Sequence, residues 1–350
     1  MLAAVRPPLP APSIALLLAL LALLLPGCGG SAATAHASRQ RGEPCNGSTA
    51  LCSRRLDQVF FPGTHNSYAS SSQPGWYFAH QDRGIGAQLE AGIRALTLDV
   101  HVGIPEPGGD LVRTDFRAEG AAANKALAAT PERARHLARA LAGPLGASPS
   151  GGPPGLYLCH TLCELGAEPL DRELAAVAAF IESHPREVLV IVVEDYVPAA
   201  SVAAAFERAG LAAKAAVLRK GEPLPTLGRL LGTGKHLVVF SEQRGGSPPW
   251  FMPAFTFIQD TPLGANRPRQ LSCARFRGQP DSPLLLVNHW IPPFPPSRRL
   301  NAAIGRASFL RRRLLRCIDA RGFSGAIVAV DFFERTAVVR VAEQLNRRGS

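Results

Sequence analysis

The sequence predicts an α/β protein, a (β/α)8 TIM-type barrel with a long insertion between its second and third strands. Three observations predict it. Several short runs are apolar almost throughout, as in Val188-Leu-Val-Ile-Val-Val193; such runs suit a parallel sheet covered on both faces, whereas half-exposed antiparallel strands alternate. These runs alternate with alanine-rich helical stretches about eight times over roughly 300 residues. The competing architecture, an open doubly wound sheet, often carries a glycine-rich nucleotide fingerprint, and this chain has none.

At the N-terminus, Arg6 is the only charge ahead of an unbroken apolar run over residues 14–25. That run is shorter than the about 20 residues a membrane-spanning helix needs and fits the apolar region of a secretory signal. It ends in Leu24-Leu25-Pro26-Gly27-Cys28-Gly29, which resembles a bacterial lipoprotein signal whose cysteine becomes the lipidated N-terminus. Pro26 is unusual in that motif, so cleavage by an ordinary signal peptidase stays open. The expected organisation is a lipoprotein-type signal over 1–28 ending at lipidated Cys28, a small polar linker over 29–44, and one catalytic domain over 45–350. The chain is expected to be an exported monomer that meets the membrane surface through its lipid anchor.

Within that domain, strands are expected at 58–61, 95–100, 156–159, 188–193, 236–240, 255–258, 284–288 and 326–330. Helices are expected at 170–183, 201–209 and 302–320. Residues 103–155, rich in Gly, Ala and Pro, form the insertion. Beyond Cys28 lie six cysteines, and an even count in an exported chain predicts disulfides. Cys45 with Cys52 and Cys159 with Cys163 are near enough in sequence to pair locally, leaving Cys273 with Cys317. A zinc site would need paired Cys/His clusters at ligand spacing, which these six lack.

An apolar fraction of 46% with 19% charge describes a globular chain with a core. Much of the net charge of +11 lies between Arg306 and Arg321. There Arg311, Arg312, Arg313 and Arg316 interrupt a helical apolar pattern and read as a solvated helix face; attraction to anionic lipid is the sharper reading. Nucleic acid is disfavoured as a partner, because the charge is neither interleaved with aromatics nor part of a binding motif.

Polar residues fall at the ends of the predicted strands. His65 and Asn66 follow the first, Asp99 ends the second, His160 the third and Glu194 the fourth, and Asp331 closes the eighth. In a barrel these ends share the rim that carries active sites. A neutral imidazole can take a proton from an attacking hydroxyl while a protonated one gives a proton to the leaving oxygen. Asn66, Asp99 and Glu194 are hard oxygen donors that suit Ca2+ better than zinc. Phosphodiester cleavage fits this set better than acyl transfer, and no Gly-x-Ser-x-Gly elbow competes.

The segment Phe61-Pro-Gly-Thr-His-Asn-Ser-Tyr68 resembles the first catalytic block of the phosphatidylinositol-specific phospholipase C X-domain family. Gly92-Ile-Arg-Ala-Leu-Thr-Leu-Asp99, Leu158-Cys-His-Thr161 and Pro185-Arg-Glu-Val-Leu-Val-Ile-Val-Val-Glu194 resemble its next three blocks, in order, over roughly residues 45–345. Cysteines around the first and third blocks are similar to a secreted phospholipase-C-like branch. The resemblance implies His65 as general base and His160 as general acid. The inositol 2-hydroxyl then attacks phosphorus, giving diacylglycerol and a cyclic phosphodiester. It implies the calcium-dependent pattern at Asn66, Asp99 and Glu194, although Thr97 stands where that pattern has a glutamate ligand. Asp331 resembles the last-strand aspartate that orients the first histidine, with a turn-capping carboxylate as the alternative. Arg94 and His101 are weak candidates for substrate or phosphate, although the place of Arg94 early in the strand suggests an ion pair; His101 and Glu164 lie near enough to contribute, with solvated polar positions the preferred reading of both. Trp76, Trp250 and Trp290 could line the mouth or the core. The substrate is expected to be a phospholipid or glycerophosphodiester. Another head group, or a non-catalytic cell-envelope binding protein, is the alternative, although such a protein does not need an acid–base pair.

Overall fold

Eleven strands follow one another along the chain: β1 (Phe60–Thr64), β2 (Ala95–Pro105), β3 (Val112–Thr114), β4 (Gly155–Leu158), β5 (Glu168–Pro169), β6 (Leu189–Asp195), β7 (Leu237–Ser241), β8 (Phe251–Pro253), β9 (Ile258–Asp260), β10 (Leu284–His289) and β11 (Ala326–Val330). They come from a computed structural model that describes residues 42–108, 111–146, 151–291 and 294–348. The predicted signal, Cys28 and nearly all of the predicted linker lie outside the described residues. Residues Pro44–Ser350 form one compact unit.

Eight strands run parallel in the order β8-β7-β6-β2-β1-β11-β10-β9. The sheet curls into a (β/α)8-type barrel left open between β8 and β9, which a single helical turn, Ala254–Phe257, joins in sequence. The continuous apolar runs are explained by two cores. Along β6, Leu189, Ile191 and Val193 face the layer that includes the helix Leu170–Ser183, whereas Val190 and Val192 fill the barrel interior with Phe61, Phe240, Leu286 and Ile327. A strand buried on both faces has no polar alternation to show. Gly63 lets β1 approach β2 closely: a Cβ there would stand 2.8 Å from the Ala95 Cβ.

Two expectations about strands need correction. The run expected at 156–159 as a barrel strand is β4, and it lies outside the barrel. β2 is 11 residues long, and its outer half pairs antiparallel with β3 and β4, Val100 opposite Leu158. Periodicity reports a strand but not its partner. The eighth barrel strand is instead β8, and of the strand expected at 255–258 residues 255–257 lie in the helical turn Ala254–Phe257, with β9 beginning at Ile258. Strands of three residues are too short to show a period. Consequently the insertion between the second and third barrel strands runs on to β6, and it carries the helices Phe116–Glu119, Ala121–Ala129 and Glu132–Ala142.

The helix expected at 170–183 is found there, and that expected at 201–209 spans Ala199–Arg208. The one expected at 302–320 is divided into Arg298–Ile304 and Ala307–Arg321. The division falls at Gly305, whose carbonyl accepts from the Ala337 N–H and whose missing Cβ leaves space for Thr336. Arg313 is not part of a solvated face. It is 2% exposed and donates to the carbonyls of Asn288 and Ser272. Among the described residues no helix is long and apolar enough to cross a membrane.

Three disulfides join Cys45–Cys52, Cys159–Cys163 and Cys273–Cys317, as suits an oxidising compartment. The last ties the loop after β9 to the helix Ala307–Arg321. Replacing both of its cysteines with serine is expected to lower the unfolding free energy by about 2–4 kcal/mol, read as a lower denaturant midpoint at unchanged slope. An unmoved midpoint would show that this crosslink carries no stability.

Candidate active site

Parallel strands end together, so the residues that follow them converge. A cavity of about 240 Å³ at this rim is lined by His65 and Asn66 after β1, Thr97 and Asp99 of β2, and Val192 and Glu194 of β6. Glu242 after β7, Asn288 of β10 and Trp290 complete it with Arg277, His80 and His160. Residues two apart on one strand point to the same side, and this is why Thr97 and Asp99, or Val192 and Glu194, share the wall.

His65 leaves the barrel at the end of β1, and its N–H donates to the Val330 carbonyl. Its ring stacks on Trp290, centroids 3.8 Å apart and 6° from parallel, and its Nδ1 lies 2.9 Å from Asp331 Oδ1. Asp331 is fully buried. Desolvation alone would raise its pKa, but the charge and hydrogen bonds of His80 and His65 win and hold it down at about 2. The carboxylate is therefore anionic and fixes Nδ1 of His65 as the donor, leaving Nε2 free to accept a proton.

His160 reaches the cavity from the other side, its ring centroid 6.4 Å from that of His65. Its Nδ1 lies 3.1 Å from both Asp99 Oδ2 and Asn66 Nδ2. The Asn66 amide nitrogen is a donor and cannot accept, so the Nδ1 hydrogen goes to the carboxylate. Desolvation would lower the His160 pKa, but the side chain is 56% exposed. The hydrogen bond and charge of Asp99, reinforced by Glu194 and Asp331, outweigh it and raise the pKa above the ordinary histidine value. In turn, burial works to raise the Asp99 pKa, and His160 draws it below the usual range. Glu194, register partner of Asp99 across β2 and β6, has its pKa raised by burial and by the Asp99 charge.

The insertion holds His160 in place. Thr114 of β3 donates its backbone N–H to buried Glu164, its hydroxyl lies 3.0 Å from Glu164 Oε2, and that hydroxyl accepts from the Cys163 N–H. With the Cys159–Cys163 bridge, this fixes the loop that joins β4 to β5 outside the barrel. Asn66, Thr161 and Phe332 all have positive φ, +43°, +66° and +50°. Each follows directly on His65, His160 or Asp331. A β-branched or bulky residue in this region is uncommon and costs on the order of 1–3 kcal/mol; here it turns the chain away at once and leaves the preceding side chain projecting.

Several predicted positions lie elsewhere. Arg94 sits at the opposite end of the barrel, 2.7 Å from Glu187 and donating to the Leu89 carbonyl, so it is a structural ion pair and not a phosphate contact. His101 is fully buried, its Nδ1 3.0 Å from Glu119, and it stacks under Tyr196. It lies beyond Asp99 on the part of β2 that the insertion covers, so it is neither solvated nor in the cavity. Glu164 is likewise buried rather than solvated. Trp290 lines the site, whereas Trp250 packs on Phe206 in the core.

Four lining groups escape sequence reasoning. His80 is 5% exposed, and its Nδ1 lies 3.4 Å from Asp331 Oδ1. Burial lowers its pKa despite that carboxylate, and the two other imidazoles beside it add to the lowering. Arg277 bridges Glu242 and Asp260, 2.6 Å from each, and Asn288 donates to the Thr261 carbonyl. Glu242 and Asn288 carried a signal: Asn288 ends the apolar run that begins at Leu284, and Glu242 stands just past one, as Glu194 does.

A family model described as PI-PLC X 1 matches residues 153–346, more than half of the chain. "PI-PLC X domain-containing protein 1" of Arthroderma benhamiae is 24% identical over 327 residues, covering 86% of this chain and 89% of that protein. Among solved structures, a phosphatidylinositol-specific phospholipase C from Listeria monocytogenes is 16% identical with a TM-score of 0.47, covering 84% of this chain and 95% of that one. A mutant of the Staphylococcus aureus enzyme is 13% identical with a TM-score of 0.47, covering 83% and 93%.

Proposed function

The chain belongs to the PI-PLC X family, and from that premise we propose that it is a phosphoric diester hydrolase acting on an inositol phospholipid or a related glycerophosphodiester. One observation carries the reading. Two imidazoles face each other across one cavity, and each has a carboxylate at Nδ1: Asp331 for His65 and Asp99 for His160.

With the diester phosphorus between the rings, His65 Nε2 takes the proton of the attacking hydroxyl as its oxygen bonds to phosphorus. His160 Nε2 delivers a proton to the leaving oxygen as the opposite P–O bond breaks. An anionic Asp331 stabilises the positive charge that forms on His65, and Asp99 keeps His160 charged before transfer. Where the attacking group is the neighbouring hydroxyl of an inositol ring, the products are a cyclic phosphodiester and the free alcohol. The test is incubation of the purified protein with an inositol phosphodiester and analysis for that cyclic product. No turnover on any phosphodiester would favour a binding protein.

Asn66, Asp99 and Glu194 also fit a hard divalent cation. Burial first and the Asp99 charge second raise the Glu194 pKa, the two carboxylates stand side by side, and a carboxamide adjoins them. We infer that these three hold Ca2+, which when bound would offset charge on the phosphate. Thr97 leaves the set one acid short, and binding is accordingly weak. Glu194→Gln is expected to raise the calcium concentration for half-maximal activity at least roughly 10-fold, since even outer-shell groups are worth 10–100-fold in metal affinity. Activity in the parent that a chelator leaves untouched would remove the cation and leave the histidine pair standing.

A further inference from the structure

Beside the catalytic cavity lies a second one of about 410 Å³, within the roughly 300–1,000 Å³ range of small-molecule sites. The two share His80 and His160 on their walls. Their chemistry differs sharply. The first is lined by Asp99, Glu194, Glu242 and Arg277, whereas among the described residues no Asp, Glu, Lys or Arg lines the second. Its walls are Trp76, Phe78, Ala126, Ala134, Leu165 and Phe294, among others.

The polar atoms of its aromatic residues are directed elsewhere. The Trp76 indole N–H donates to Glu168, and the Tyr196 hydroxyl donates to Glu194. Trp76 leans against Gly166, where any Cβ would collide with the ring, and Phe78 packs on Phe294 with centroids 4.3 Å apart. The far wall, Ala126, Ala129, Thr130, Pro131 and Ala134, comes from the insertion and presents small side chains. Trp76 and Phe78, both half-buried, thus present carbon surface to a cavity that ends at His160.

We propose that this cavity is the subsite for the hydrocarbon chain of the leaving alcohol. The inference rests on the diester-cleavage reading above, in which His160 protonates the leaving oxygen; whatever that oxygen carries must depart on the His160 side. The acidic and basic groups of the first cavity suit a hydroxyl-rich head group, and the apolar walls of the second suit an alkyl or acyl chain. The insertion is then a specificity element as well as a support for the His160 loop.

The experiment uses the full chain and soluble, monomeric inositol phosphodiesters with methyl, butyl or octyl leaving groups. Burying one methylene is worth roughly fourfold, so kcat/KM is expected to climb with chain length until the cavity is filled, by at least about tenfold from methyl to octyl. Ala126→Phe and, on the exposed rim, Ala129→Trp fill the space, and in either the octyl-to-methyl ratio falls toward one. Equal rates for the three esters in the parent, or the parent's ratio in both variants, overturns the subsite. If the parent cleaves none of the esters, the catalytic reading fails and the subsite is tested by calorimetry with n-octyl phosphate and methyl phosphate. Octyl binding at least tenfold tighter, and lost in the variants, keeps it. Equal binding of the two phosphates removes it.

Discussion

His65→Ala and His160→Ala are each expected to lower kcat/KM on an inositol phosphodiester by at least the ~10²–10⁴-fold typical of general acid–base catalysis. The double variant should be little worse than the worse single one, because groups acting as a unit are not additive. Leaving-group chemistry separates the two roles. A phenolic leaving group of low pKa needs little protonation, so it should partly rescue His160→Ala and not His65→Ala. The pH profile gives a second readout. His160 acts in its protonated form, and Asp99 raises its pKa; activity is therefore lost as pH rises through that raised value. Asp99→Asn removes the carboxylate, and the basic limb should move to lower pH. A limb that stays in place would show that it belongs to another group, and undiminished turnover in either alanine variant would discard the acid–base pair.

Asp331→Asn should come close to these losses, about 10²–10⁴-fold in kcat, with little change in shape. The oxygen that fixes His65 Nδ1 as a donor also lies 3.4 Å from His80. A carboxamide carries no charge to stabilise the imidazolium that forms at His65, and its NH2 group can force the wrong tautomer, as when the aspartate of a Ser-His-Asp triad is neutralised. Stability supplies a readout apart from activity. With the folded pKa held at about 2 and an unfolded value near 3.9, the group stabilises the fold above the unfolded pKa by on the order of 2 kcal/mol. That contribution is lost as pH falls through the folded value. The difference in unfolding free energy between parent and variant should therefore shrink between about pH 4 and pH 2. A difference constant over this range would mean that Asp331 is not held anionic by the histidines, and full activity in the variant would mean that it does not orient His65.

Within the described chain, the sequence by itself determined the class of fold and the polar end of four barrel strands. Apolar runs such as Val188–Val193, short and rich in β-branched residues, read as strands buried on both faces, and parallel strands so buried present their following residues on one rim. His65, Asp99, Glu194 and Asp331 were legible because each stands at or just past such a run. Glu242 obeys the same rule, with Ser241 separating it from the run that ends at Phe240. Cysteine spacing was equally local information: short separations confine Cys45 to Cys52 and Cys159 to Cys163.

Only the tertiary structure decided which strands close the barrel and what their outer ends meet. β2 runs past the rim, and pairing partners there are set by long-range hydrogen bonding to β3 and β4, which no period in the sequence encodes. For that reason His160 arrives from an insertion loop rather than a barrel strand. His101, two residues beyond Asp99, is withdrawn from the cavity because Glu119 and Tyr196 cover it. His80, Trp290 and Arg277 lie in irregular segments, where nothing local fixes a side chain's direction. They reach the site through contacts with residues far away in sequence: Asp331 for His80, His65 for Trp290, and Glu242 with Asp260 for Arg277. Periodicity records which face of an element is buried; the identity of the neighbour across that face depends on packing, and packing exists only once the chain has folded.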